Sequence, residues 1–130
     1  MAFLDETGLA ELWSLIQSED SKITELANTK AKIASGSYNG NGNAKVGNKN
    51  TLNFGFVPKV VIIVADGVFG TSAGSVFVQG QSVSNYIGYT NNTGVYIELQ
   101  WSGNTVSWYS DTADRQLNAS GKTYRWVAIG

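Results

Sequence analysis

Apolar residues in the first 35 positions recur at alternating steps of three and four, the spacing of one face of an α-helix. Six of eight such positions are apolar over about four heptads, and Glu19 and Lys30 occupy the other two. Thr7 offers a hydroxyl that caps a helix start, and Gly36 is a suitable stop. The pattern predicts one helix of about 27 residues, with these apolar positions: Leu9, Leu12, Ile16, Ile23, Leu26 and Ile33.

This apolar stripe has two interpretations, a short coiled coil between chains or an amphipathic helix lying on its own domain. The period of 3.5 and the Gly/Ser joint at residues 35–37 favour the coiled coil. Trp13 and Leu15 widen the apolar face, which indicates three or more strands or docking onto a larger assembly. Two shorter helices, broken near Ser18–Ser21, are a further alternative.

The remaining residues, 36–130, alternate short runs of β-branched and aromatic residues with Gly/Asn clusters, which is typical of antiparallel strands and hairpins. Asn91–Gly94 and Ser102–Asn104 are expected hairpin turns. The pattern predicts a mainly β protein: an N-terminal helix followed by an antiparallel β-sandwich or a related barrel. The predicted strands are Thr51–Phe56, Lys59–Ala65, Ser75–Gln79, Ser84–Tyr89, Val95–Gln100, Thr105–Ser110 and Thr123–Ile129, with Ser37–Val46 a candidate eighth. Both faces of the last strand are partly apolar, so one of them is expected in a subunit interface.

Composition divides at the same place as the hydrophobic pattern. Residues 1–35 carry six acids and three lysines, a charge of −3, and one glycine. Residues 36–130 carry a charge of +2, fourteen of the fifteen glycines and thirteen of the fifteen aromatic residues. We therefore expect residues 1–35 to be a helical oligomerisation or attachment segment and residues 36–130 to be a β-sandwich head.

The composition narrows the function classes. The chain has no His and no Cys, so Ser-His-Asp and thiol catalysis, thiolate zinc sites and disulfides are excluded. A net charge of −1 gives no reason to expect nucleic-acid binding. The N-terminus lacks the pattern of a secretion signal, and the longest apolar run, Val60–Ala65, is too short to insert into a membrane. We expect no catalytic residue, no metal and no cofactor.

The aromatic residues of the β half suggest carbohydrate binding. Aromatic faces stack on sugar C–H surfaces, while Asn, Asp and Gln bind hydroxyls. The candidate ligand-binding residues are Trp101, Trp108, Tyr109, Asp111 and Tyr86. The alternative is that these rings form the core or subunit contacts. Asp111 and Asp114, with Glu98 across a predicted hairpin, could also form an acid/base pair or bind calcium, although a solvated loop explains them more simply.

Several segments resemble known phage proteins. Residues 4–13, LDETGLAELW, resemble the opening of tail-associated proteins from phages of Gram-positive bacteria, in which a short helix precedes a β-rich head. Residues 52–64, LNFGFVPKVVIIV, are similar to a strand pair of phage tail-fibre tip domains and of H-type lectins. The ending, YRWVAIG, is similar to the terminal strand of both groups, and Gln116–Asn118 followed by Gly121 and Tyr124 resembles the tail-fibre pattern.

The resemblance implies a homotrimer with a β-sandwich head that attaches the virion to host-surface glycans. It also implies a virion-tail location after synthesis in the bacterial cytoplasm, and contact with other tail proteins. No lectin ligand residue can be carried over, and the stretch Asp111–Lys122 is an insert relative to the compact lectin domain. We therefore predict a non-enzymatic tail-fibre or receptor-binding protein. The alternatives are a purely structural tail or capsid-decoration protein and, more remotely, a glycan hydrolase.

Overall fold

The computed structural model describes residues 5–67, 73–88 and 95–130, in two compact units that divide between Ala31 and Lys32. The predicted turn at 91–94 and the end of the predicted strand at Tyr89 lie outside these residues. The first unit is helix α1, Glu6–Thr29, which is unbroken across Ser18–Ser21. At about 1.5 Å per residue it is about 36 Å long.

Both ends of α1 differ from the prediction. The N-cap is Asp5 rather than Thr7, because the Asp5 Oδ1 accepts a hydrogen bond from the Gly8 backbone N–H at 2.7 Å. The helix ends at Thr29 because the next residue turns to extended backbone. Ile33, which fits the helical spacing, lies instead on a strand that also contains Gly36. The boundary between the units thus falls four residues before the predicted one.

The second unit forms eight strands within the residues that the structure describes, and every pairing is antiparallel. Sheet 1 has the order β1-β8-β3-β4, and sheet 2 has the order β2-β7-β6-β5. The strands are β1 Ile33–Asn39, β2 Asn50–Asn53, β3 Val60–Ala65, β4 Gly74–Val78, β5 Val83–Asn85, β6 Tyr96–Ser102, β7 Thr105–Tyr109 and β8 Thr123–Ile129. The predicted mainly β class with an N-terminal helix and two antiparallel layers is confirmed.

The core lies between the inner faces of the two sheets. Alternate residues of each strand point inward, as the period of two requires. Trp108 of β7 is buried and contacts the rings of Tyr38 and Phe77 at centroid distances of 6.0 and 5.4 Å. Tyr124 of β8 stacks on Tyr38 at 5.2 Å. The remaining buried apolar side chains are Phe54, Val61, Ile63, Ala65, Ala73, Tyr86, Ile97, Leu99, Val106, Leu117 and Ala128, with Phe77 and these rings completing one cluster.

The irregular segment 111–122 is built into the fold at residues 116–118, which are buried, whereas Asp111 and Asp114 are exposed, as a solvated loop predicts. Gln116 is completely buried. Its Nε2 donates to the Asn48 carbonyl at 2.6 Å and to the Asn50 Oδ1 at 2.8 Å, while its Oε1 accepts the backbone N–H groups of Lys45 and Ser110 at 2.9 and 3.0 Å. One amide therefore ties this segment to the chain between β1 and β2 and to the end of β7.

Candidate functional site

The two sheets present chemically different outer faces. On sheet 1, the outward residues of β3, β4 and β8 are mostly valine and isoleucine. Six of them are 38–44% exposed: Ile62, Val64, Val76, Val78, Val127 and Ile129. On sheet 2, polar residues alternate outward, and Thr51 pairs with Ser107 while Glu98 pairs with Tyr109. The polar outer face of sheet 2 is therefore the better place for a saccharide ligand.

A shallow hollow of about 240 Å³ lies at one end of this polar face. It is formed where β6 and β7 meet the start of the irregular segment, so both strands and a loop contribute side chains. Its lining includes the phenol rings of Tyr96 and Tyr109, the carboxylates of Glu98 and Asp111, and the guanidinium of Arg115. Val95 and Ser110 complete the lining. We call this the sheet 2 hollow.

Neighbouring contacts hold one wall of the hollow in place. The Lys49 Nζ donates to the Gln100 Oε1 at 2.8 Å and lies 5.7 Å from the centre of the Tyr109 ring. The ammonium lies within the range of a cation–π contact, which favours a fixed ring orientation. The Ser110 hydroxyl donates to the Tyr96 carbonyl at 2.8 Å, joining the two strands at the base of the hollow. The hollow thus offers an ordered ring beside charged hydrogen-bonding groups.

The five predicted ligand residues separate into two groups. Tyr109 and Asp111 line the sheet 2 hollow. Trp108 does not, since it is buried and its Nε1 donates to the Gln116 carbonyl at 2.7 Å, so its prediction as a ligand residue is wrong. The half-buried Trp101 packs against the core, and its Nε1 donates to the Gln81 carbonyl at 2.8 Å.

Tyr86 also serves the core and not the outer face. It is 8% exposed, and its hydroxyl donates to the Asp114 Oδ2 at 2.9 Å. Burial raises the pKa of Tyr86, and this hydrogen bond raises it further. The other oxygen of Asp114 accepts from Lys122 at 3.2 Å. Both Asp114 oxygens are therefore engaged structurally, which separates its role from that of Asp111 in the hollow.

Sequence reasoning missed the contributions of Tyr96 and Arg115 to the hollow, and it considered Glu98 only for an acid/base pair or a calcium site. Strand alternation would have placed Tyr96 and Glu98 on one face, since they are two residues apart on β6. No local signal indicates Arg115, because its position depends on the irregular segment. Among the residues that the structure describes, no cluster of three or more acidic side chains could hold a metal ion.

Comparison of this chain with protein-family models, with curated proteins and with solved structures finds no match. Within the described ranges, no helix combines the length and the apolar character needed to cross a membrane.

Proposed function

We propose that this chain is a non-enzymatic tail-fibre or receptor-binding protein of a phage virion, which assembles as a homotrimer and binds a host-surface saccharide. The observation that carries the binding role is the sheet 2 hollow, with its combination of aromatic and charged hydrogen-bonding side chains. The sequence resemblance to tail-fibre proteins supports the virion context.

The composition of the hollow suits a sugar. The rings of Tyr96 and Tyr109 offer apolar surfaces for sugar C–H groups. The carboxylates of Glu98 and Asp111 accept from sugar hydroxyls, and the guanidinium of Arg115 donates to them. A volume of about 240 Å³ is below the range of drug-sized pockets. The hollow therefore suits one or two sugar units, bound weakly.

Weak binding at each site fits an assembly of several copies. The apolar side chains of α1 are all exposed in the single chain, with Leu12 at 46% and Ile16 at 44%. Such a stripe is stable when other copies cover it. Three linked sites raise the apparent affinity without new contacts, so a trimer converts a weak sugar site into firm attachment.

Glycan-array binding and pull-down with host-wall polysaccharide test this proposal. We expect saturable binding by the full chain, and a loss of at least about tenfold in affinity for Tyr109→Ala and for Asp111→Asn. Val46→Ala is the control, because Val46 is 60% exposed and lies outside the hollow and outside both sheets. Absence of binding to both glycans and cell walls would contradict the proposal.

A purely structural tail or capsid-decoration protein is the second candidate. The observation that favours it is that the exposed apolar surfaces, on α1 and on sheet 1, are more extensive than the shallow hollow. It predicts the same assembly with no saturable glycan binding. Release of reducing ends from wall polysaccharide, abolished by Asp111→Asn, would instead indicate a hydrolase.

A further inference from the structure

The outer face of sheet 1 is a continuous apolar surface in the middle of the sheet. Ile62 of β3 pairs with Val76 of β4 on one side and with Val127 of β8 on the other. Two residues earlier on β3, Val60 pairs with Val78 of β4 and with Ile129 of β8. We call this surface the valine–isoleucine face; it consists of Ile33, Val60, Ile62, Val64, Val76, Val78, Val127 and Ile129.

Antiparallel sheets that face water normally alternate apolar inward residues with polar outward ones. Sheet 2 follows that pattern, and so does β1 with Ser35 and Ser37 outward, whereas β3, β4 and most of β8 do not. On the valine–isoleucine face the exposed fractions are 38% for Ile62, 42% for Val76 and 39% for Val127, so each side chain keeps a free apolar surface. Contiguous apolar patches of this kind mark interaction sites.

Charge does not oppose contact between two copies of this face. Its charged neighbour is Arg125, whose Nε donates to the Asp66 Oδ1 at 2.6 Å at the margin of the face. That pair is neutral overall, and the rest of the face carries no charge. Identical apolar faces can therefore meet without like-charge repulsion, which a face carrying net charge could not do.

The size of the valine–isoleucine face favours cover by other copies of the chain over cover by the chain's own helix. The face spans β8, β3 and β4, because β1 contributes only Ile33 and places Ser35 beside Val127. Three strands spaced at about 4.8 Å make the face about 14 Å wide, and five residues at about 3.3 Å make it about 17 Å long. A helix covers a strip only about 10 Å wide, and α1 is about 36 Å long. One helix would therefore leave about a third of the face uncovered, whereas the faces of neighbouring copies together cover it.

The apolar area that the chain offers also agrees with self-association. The face offers about 240 Å² by these dimensions, and a strip along α1 offers about 360 Å². Together they give about 600 Å² per partner, the lower end of a standard-size interface, which neither surface reaches alone.

We propose that the valine–isoleucine faces of three copies pack together around a shared axis and form the subunit interface of the β unit. The number of copies rests on the trimer of the proposed function, while the location of the interface rests on the face itself.

The test is sedimentation and light scattering of the full chain over a dilution series, with Ile62→Lys as the main variant. Ile62 lies at the centre of the face, so three lysines would meet in an apolar contact. We expect the concentration at which the assembly dissociates to rise at least about 100-fold. Val46→Lys is the matched control, because Val46 is 60% exposed and lies in a short turn outside both sheets.

Two further variants make each outcome decisive. Ile62→Thr keeps a β-branched side chain, so it preserves the strand and should weaken assembly even if Ile62→Lys does not fold. Ile16→Glu tests the helix separately. Assembly that responds to Ile16→Glu and not to either Ile62 variant overturns this inference and leaves the proposed helical assembly standing. If the full chain is monomeric and Ile62→Thr lowers only its thermal stability, the inference is overturned. In that case the chain's own helix covers the valine–isoleucine face.

Discussion

Replacing Gln116 with leucine removes the amide that joins three segments of the β unit. Leucine has a similar size but leaves the Ser110 N–H without its acceptor, and the Asn48 carbonyl and the Asn50 Oδ1 without their donor. The Lys45 N–H keeps a second acceptor, the Ser110 carbonyl at 2.9 Å. Each unsatisfied buried group costs about 1–3 kcal/mol. Water cannot replace the amide, since Gln116 is completely buried. We expect Gln116→Leu to lower the free energy of unfolding by about 3–5 kcal/mol, out of the 5–15 kcal/mol typical of a domain.

The measurement is urea unfolding followed by tryptophan fluorescence, with all variants at one protein concentration so that assembly affects them equally. Gln79→Leu is the control, because Gln79 is exposed at the end of β4 and should change stability by no more than about 0.5 kcal/mol. A loss below about 1 kcal/mol for Gln116→Leu would refute the reasoning, because it would mean that the backbone partners are satisfied in another way.

The variant Gln116→Glu adds a pH dependence with a defined sign. Burial should raise the pKa of the new carboxyl above its ordinary value of about 4.3, since the charged form is poorly solvated there. The protonated form still accepts from the two N–H groups and can donate once. The stability of this variant should therefore be greatest below about pH 4.3 and fall as the pH rises, relative to wild type. A stability difference that does not change with pH would contradict this.

Three further predictions concern other parts of the chain. Gly40→Ala should destabilise by about 2 kcal/mol in thermal unfolding, because an added Cβ would lie 2.0 Å from the Ala119 carbonyl, whereas Gly47→Ala, with open space around it, should be neutral. Burial raises the pKa of Tyr38, so its contribution to stability should persist below about pH 10 and be lost above it, and Tyr38→Phe should weaken that alkaline loss in a pH series of unfolding curves. Ile16→Glu should reduce the assembled mass by light scattering while circular dichroism retains the strand signal, and an unchanged mass would contradict the helical assembly.

The β strands that are bounded by turn residues were predictable from sequence, and the ends set by tertiary partners were not. β8 has the predicted bounds, Thr123–Ile129, because its run of β-branched and aromatic residues lies between Gly121 and Gly130. Ile33 fits both the helical spacing and a strand. It lies on a strand because it pairs with Ile129 of β8, a contact that the local sequence does not indicate. β2 ends at Asn53 because Gly55 adopts φ 72°, a turn conformation that the apolar run around it hides.

The candidate site was predictable only in part, for a related reason. Trp108 and Tyr109 are adjacent on β7, so a period of two allows only one of them to face solvent. Naming both as ligand residues overlooked that limit, and the pairing of Trp108 with Leu99 shows which one faces the core. Nothing in the local sequence around Gln116 indicates its buried contacts, since its partners lie on distant segments.

The pairing of β1 with β8 along all seven residues also sets an order of events during protein synthesis. These strands come from opposite ends of the β unit, so sheet 1 cannot close until Ile129 has left the ribosome. Pairing of such distant segments is slow to form, because the intervening chain must first be ordered. The valine–isoleucine face draws residues from both strands, and it is therefore complete only after β8 has been synthesised. A nascent chain that lacks β8 would have no complete surface on which to recruit a neighbour.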